Sequence, residues 1–541
     1  MPPRSRLSRP RRASRQGLIA AAVLSLMVSA PALRAETLLS PFIQSVAAAA
    51  AEDDTVAAFY AARSYRTLWT GPEDSARRAL VLAAFATAGD HGLPVVRYDA
   101  AELAGRFASA QTEGDRGRLE VDMTRAWLAF AHDLQSGALV PKKVDGGILR
   151  EVPVVDPAVN LAALEGPDLA GYLRALPPDA PEYVRLMTER FDLMQVVASD
   201  GWGPVVVSGG LGQGDRGDAV VALRDRLTAM GYLGRTSTGV YDRDMAAAVS
   251  QFQIDHGLPA TGKADAATLA EVNASPEERL QSVTVAMERL RWMGDAPRGD
   301  RYIWVNQPDF TARIVDHGKV TFQTRAVIGK NGPDTRSPEF SDEMEYMVVN
   351  PSWGVPRSII VKEYLPLLQR NPNAVGQLQV VDSRGRVIPR GSVNFAAYSA
   401  RSFPYGLRQP PSDGNALGKV KFMFPNPYNI YLHDTPSKSL FEKQVRAFSH
   451  GCIRLGEPFD FAYTLLARQT DDPQGTFQAS LDTDRETVVK FDQHIPVHLV
   501  YFTAWPTPKG RMTYRDDVYG RDQKIWEALV AAGLEPTGAA G

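Results

Sequence analysis

The hydrophobic period of this chain changes once, near residue 300, and that change decides which folds are open to it. Before it, apolar residues recur every three or four positions over Arg78 to Ala88, Arg118 to Leu134 and Tyr183 to Val197, and again in a helix from about Pro276 to Trp292. After it, Tyr302-Ile303-Trp304-Val305, Thr311 to Val315 and Thr321 to Ile328 are β-rich, with turn chemistry at Asp316-His317-Gly318-Lys319. Helices first and a meandering sheet second make a multidomain α+β protein. A length of 541 residues is too great for one core, so three or so domains are expected. With 44% hydrophobic and 23% charged residues and no long single-sign run beyond the N-terminus, disorder and fibrous architectures are excluded.

Punctuation divides the chain further. From Glu36 to about Val205 the helical pattern is broken only by Pro and Gly clusters such as Leu176-Pro177-Pro178, and no polar constellation there suggests chemistry; it reads as a helical scaffold. Gly209-Gly210 and Gly212 to Gly217 form a flexible break. Residues 214 to 273 read as a small three-helix unit. Val220, Leu223, Leu227 and Met230 share one face before Gly231, Met245, Val249 and Phe252 a second before Gly257, and Leu269 and Val272 a third. Asn350 to about Gly418, rich in Pro, Gly, Arg and Ser, reads as a long insertion capping a cleft. The expected division is 1–35 export signal, 36–205 scaffold, 206–275 three-helix module, 276–505 mostly-β catalytic domain with its insertion at about 350–418, and 506–541 C-terminal extension. The last has a helix near Asp522 to Ala532 and no assigned role.

The first fifteen residues carry six arginines and no acid, an apolar run from Leu18 to Val28 follows, and Ala30-Pro31-Ala32 or Leu33-Arg34-Ala35 offers small residues for cleavage. That order is a secretory signal, and the apolar run falls short of the roughly 20 residues a spanning helix needs. No large apolar residue closely follows Arg11-Arg12, so general secretion is favoured over twin-arginine export. Removing residues 1 to 35 takes away seven arginines and moves the formal charge from −2 to about −9, which disfavours nucleic acid as a partner. An exported mature chain with no stable membrane span is expected.

One cysteine, Cys452, cannot form an intramolecular disulfide even where the compartment permits it. It lies in Phe448-Ser449-His450-Gly451-Cys452-Ile453-Arg454-Leu455, downstream of Ile430-Tyr431-Leu432-His433-Asp434-Thr435-Pro436, so two of only eight histidines lie within the nineteen positions before it. A thiol of ordinary pKa is only a few per cent thiolate at neutral pH, so a catalytic cysteine needs a base or cation nearby. His450 would share its face on an extended backbone, whereas His433, at the end of a strand, would have to reach it through the fold; spacing does not choose between them. Gly451 permits close backbone approach, and the amides around Cys452 could hold an oxyanion. No second cysteine and no paired histidine or glutamate supports a metal site, so none is expected.

His433, fifteen intervening residues, then Ser449-His450-Gly451-Cys452 resembles the signature of L,D-transpeptidases with a YkuD-type catalytic domain, with further matches at Asn350-Pro351-Ser352-Trp353, Pro356, Leu417-Gly418 and Phe424-Pro425-Asn426 leading to Tyr431. Residues 214 to 273 resemble the common peptidoglycan-binding module through Gly217-Asp218, Leu223, Leu227, Gly231-Tyr232, Tyr241, Phe252-Gln253, Gly257-Leu258 and Gly262, with Met245 where that family usually has threonine. Together with the helical scaffold and the insertion, the whole is similar to the large periplasmic YcbB-like members.

The resemblance implies Cys452 as nucleophile, His433 as general base and the backbone carbonyl of Asp434 as its orienting group. His450 and Ser449 would shape the pocket, Gly451 and Cys452 amides would form the oxyanion hole with the Tyr431 hydroxyl, and Arg454 and Trp353 would contact substrate. It implies two acyl transfers without a cofactor. The thiolate takes the third residue of a tetrapeptide stem, expelling D-alanine, and an amine of a second stem resolves the thioester to a 3-3 cross-link. Peptidoglycan stems as donor and acceptor, acylation by carbapenems, a periplasmic location and a cell-wall synthase or carboxypeptidase as protein partner are implied with it. Alternatives are the same thioester resolved by water (an L,D-carboxypeptidase) or by a protein amine (an anchoring enzyme), and a non-catalytic wall-binding scaffold. A papain-like protease is disfavoured because His433 precedes Cys452.

Overall fold

A computed structural model describes residues 40–295, 297–508 and 510–536, so the expected signal at 1–35 lies outside the described residues. The N-terminal helical part is organised by the helix Glu113–Ser136, which Thr112 opens with a capping box and Gly137 closes at φ +89°. Its Leu119, Met123, Trp127 and Phe130 pack on Trp69, Phe85 and Tyr98 in one apolar core. The fully buried Glu120 accepts backbone hydrogen bonds from Trp69 and Thr70, tying the preceding loop to the helix.

The three-helix module comprises Asp218–Ala229, Arg243–Asp255 and Ala266–Asn273, the latter two capped by Asp242 and Asp265. The expected faces meet: Val220, Leu223, Leu227, Met245, Val249, Phe252, Leu269 and Val272 share one core, with Met230 at its margin. The module is docked on the rest of the chain, since Arg279 pairs with Glu271 at 2.5 Å and Arg515 donates to the Asp255 carbonyl at 2.7 Å.

The helix Pro276–Met293 leads into β1 (Arg301–Asn306), β2 (Thr311–Asp316), β3 (Lys319–Gly329) and β4 (Phe340–Val349). With β9 (Val420–Met423), β10 (Leu432–His433), β11 (Ala447–Ser449), β12 (Ile453–Leu455) and β13 (Thr487–Val500) they form one sheet in the order β11-β3-β12-β10-β9-β4-β13-β1-β2. Because β2 also pairs with β3, the sheet closes on itself and leaves few free edges. Ile303, Ile314, Ile328, Met347, Phe422, Leu432, Ile453 and Leu499 fill the core it encloses with the helix Pro458–Leu466.

The insertion after β4 is more than a loop. Short strands β5 (Trp353–Gly354), β6 (Gln379–Val381), β7 (Val387–Ile388) and β8 (Gly406–Gln409) form a separate four-stranded sheet, and Leu365, Leu368, Val380, Phe395, Phe403 and Leu407 give it its own apolar core. The tail is likewise part of the body. The expected boundary at 505 falls inside the strand Ala504–Pro506, which pairs with Met512–Tyr514. The helix Arg521–Ala531 buries Ile525 and Leu529 against Val285 and Trp292. Arg289, between Glu339 and Asp522 (2.8 Å to the latter), and Arg521, 3.2 Å from Glu339, weld these segments through buried ion pairs. Among the described residues no helix is long and apolar enough to cross a membrane.

Candidate active site

The site is built on two adjacent parallel strands. β10 and β12 pair with Leu432 opposite Ile453 and His433 opposite Arg454, and the Ile453 amide donates to the Tyr431 carbonyl at 3.1 Å. Leu432 and Ile453 are fully buried in the sheet core. Alternation along a strand therefore puts His433 and Arg454 on the other face, and Cys452 sits in the turn that leads directly into β12.

His433 is buried, and its Nδ1 lies 2.5 Å from the Asp434 carbonyl oxygen. A carbonyl only accepts, so Nδ1 carries the proton and Nε2 is left as the basic nitrogen. Burial, helped by the Arg454 and Lys421 cations, pushes the imidazole down to about 3, so it rests neutral. Cys452 is half-buried, its Sγ 3.5 Å from the Asn429 carbonyl, and desolvation pushes the thiol up to about 11 despite hydrogen bonds from Tyr431 and the Arg454 charge. Thiol and imidazole are thus both uncharged at rest.

The Asp434 side chain is itself anchored. It accepts from the amides of Lys419 (2.8 Å) and Thr435 (2.7 Å) and from Lys438 Nζ (2.6 Å). Gly418, at φ +61°, passes so close that a Cβ there would lie 2.2 Å from its Oδ2. Tyr431 hydrogen-bonds the Trp353 side chain and the Cys452 thiol, and burial raises its phenol far above the ordinary value. Arg454 has a buried Nε without a hydrogen-bond partner among the described residues.

Two sequence expectations are corrected. The backbone from His450 to Cys452 is bent rather than extended, with Gly451 at φ +119°, so His450 does not share the thiol's face. Its Nε2 instead meets Glu363 Oε1 of the insertion at 2.7 Å and Lys330 Nζ at 3.5 Å. The Gly451 amide, expected in an oxyanion hole, donates to Ser449 Oγ at 3.1 Å, and that hydroxyl donates to the Cys452 carbonyl at 2.5 Å. The Cys452 amide has no hydrogen-bond partner among the described residues. Sequence reasoning missed Ser337, Tyr519 and Glu363, which lie 115, 67 and 89 positions from Cys452 and carry no local signal.

A closed sheet presenting a cysteine and a carbonyl-tethered histidine on neighbouring strands defines a class of cysteine-bearing catalytic domain. Residues 300–471 match the family model YkuD, L,D-transpeptidase catalytic domain; residues 216–271 match "Putative peptidoglycan binding domain"; and residues 54–189 match a scaffold domain. The chain therefore carries a YkuD L,D-transpeptidase catalytic domain together with a peptidoglycan-binding domain and a helical scaffold. It is 32% identical over 249 residues to a Haemophilus influenzae protein named "Putative L,D-transpeptidase", a match spanning 45% of this chain and about half (49%) of that relative. Crystal structures of L,D-transpeptidases from Xylanimonas cellulosilytica (14% identity, 55% of this chain and 98% of that one, TM-score 0.16) and Stackebrandtia nassauensis (15%, 55% and 96%, TM-score 0.21) are more distant.

Proposed function

We propose that the chain is a peptidoglycan L,D-transpeptidase in which Cys452 is the nucleophile and His433 Nε2 the general base. The observation that supports this reading is the β10/β12 pairing, with His433 opposite Arg454 two positions beyond Cys452, together with Tyr431, which touches both the imidazole and the thiol. As the thiol attacks the carbonyl of the third stem residue, its proton passes to His433 Nε2, an S–C bond forms, and the carbonyl electron pair moves onto oxygen. Collapse expels D-alanine, whose amine takes the proton, and leaves a thioester. An amine of a second stem, deprotonated by His433, then displaces the thiol and forms the 3-3 cross-link. Because the acyl energy is kept in the thioester, no nucleotide, metal or other cofactor is called for.

Arg454, with an unsatisfied buried donor, suits a stem carboxylate. The insertion, joined to the nucleophile turn through Glu363 and His450, is suited to keep water from the thioester. In this proposal the protein works in the periplasm, exported by a cleavable signal. The division into scaffold, module, catalytic domain and capping insertion serves to hold the enzyme on its polymer. Acylation of Cys452 by carbapenems follows from the same chemistry. The test is intact-mass analysis after mixing with a tetrapeptide donor and no acceptor. An adduct of the tripeptide acyl mass, absent from Cys452→Ala, is expected; an unmodified wild-type protein would sink the proposal.

A further inference from the structure

The turn that carries Cys452 is held from behind by residues outside the strands that form the site, one of them in the tail beyond the matched catalytic region of 300–471. The Tyr519 hydroxyl donates to the Gly329 carbonyl at 2.5 Å and accepts from the Ser337 amide at 3.2 Å. The Ser337 hydroxyl donates to the Gly451 carbonyl at 2.6 Å and accepts from the Gly329 amide at 2.9 Å. Both side chains are buried, Ser337 completely, so these four bonds are made without competing solvent. No Cβ fits at Gly329, where it would lie 1.9 Å from the Thr335 carbonyl. Arg521, also fully buried, holds the Ser337 carbonyl at 3.0 Å.

The consequence for chemistry follows from one peptide plane. The Gly451 carbonyl and the Cys452 N–H belong to the same unit, and in a trans peptide they point in opposite directions. Fixing the carbonyl on Ser337 therefore fixes the direction of the amide. Ser449 clamps the same turn from its other side, through the Gly451 amide and the Cys452 carbonyl. The amide so aimed is the one with no partner among the described residues.

On the reading of Cys452 as nucleophile, we infer that Ser337 and Tyr519 are positioning residues that aim the Cys452 N–H at the oxyanion formed when the thiol attacks a carbonyl. The tail is thereby part of the catalytic apparatus. In the attack the S–C bond forms, the carbonyl π pair becomes the oxyanion lone pair facing that amide, and the thiol proton goes to His433; on collapse the pair returns and the leaving group departs.

The test compares two reactions of Cys452 in the full chain, with wild type, Tyr519→Phe and Ser337→Ala. Acylation by p-nitrophenyl acetate passes through an oxyanion, whereas alkylation by iodoacetamide displaces iodide and forms none. Both variants are expected to lose about 10- to 100-fold in acylation rate, as for a misdirected oxyanion donor, with alkylation changed less than about twofold. Equal falls in both reactions, no fall in either, or a wild-type protein that the ester does not acylate would overturn the inference. Should Tyr519→Phe unfold, Ser337→Ala, which removes a single oxygen atom, carries the same comparison. Tetrapeptide turnover is scored separately: a wild type acylated by the ester but inert toward stems counts against the proposed function alone.

Discussion

His433 and Arg454 are register partners on adjacent parallel strands, and the guanidinium is one of the charges that keep the imidazole neutral. The imidazole is thus held unprotonated while the Cys452 thiol is itself protonated. That arrangement differs from a preformed thiolate–imidazolium pair, and the difference is measurable.

With His433 held at about 3 and Cys452 at about 11, no group of the pair titrates between about pH 5 and 9. Alkylation by iodoacetamide, which needs thiolate, should rise about tenfold per pH unit across that range without a plateau. A plateau beginning below pH 7 would show an ion pair and contradict the neutral resting state.

Arg454→Gln should act mainly on substrate binding. If its guanidinium receives a stem carboxylate, KM for tetrapeptide stems rises about 10-fold or more, the value of a lost charge-assisted hydrogen bond, while kcat falls less. A fall in kcat at constant KM would place the arginine's effect on His433 instead.

Glu363→Gln breaks the contact between the insertion and His450, both partly exposed. Such a pair is worth about 0–1 kcal/mol, so the ratio of thioester hydrolysis to transfer should rise by no more than about fivefold. An unchanged ratio would mean that the insertion excludes water without this contact.

Stability should fall in acid from about pH 6.5. Burial holds His91, His256 and His498 at about 4 and His433 at about 3, below the unfolded value, so the unfolded chain binds protons that the folded chain refuses. Unfolding free energy therefore rises with pH from about 4 to 6.5, by at most about 2 kcal/mol per histidine between pH 5 and 6.5. Asp522, pushed up to about 6 by burial, opposes this in the same window, as do Glu120, Glu189, Asp295 and Asp516, whose carboxyls burial also raises; the sign is set by the large downward shifts of the four histidines. Urea midpoints at pH 5 and 7.5 check the sign; a higher midpoint at pH 5 would contradict it.

Periodicity made the helices and the first three strands legible. Tyr183 to Val197 lies within Pro181–Ala198, and Thr321 to Ile328 lies within β3. The insertion was harder to read. Its strands are two to four residues long, too short for period-two alternation to register, and its core draws on residues as far apart as Leu365 and Leu407. Within the site, His433 and Cys452 stood out because rare residue types cluster there. The orientation of His450 did not, because it depends on the left-handed Gly451 and on a glutamate 87 positions away. Ser337 and Tyr519 were invisible for the same reason: their partners are backbone groups brought near only by the closed sheet.

The most direct test of the central claim is product analysis by mass spectrometry after incubating the protein, and its Cys452→Ala variant, with tetrapeptide-bearing muropeptides. The account predicts 3-3 cross-linked dimers and released D-alanine with the wild type and neither with Cys452→Ala. Tripeptides without dimers would mean that water resolves the thioester, and dimers formed equally by Cys452→Ala would contradict the account outright.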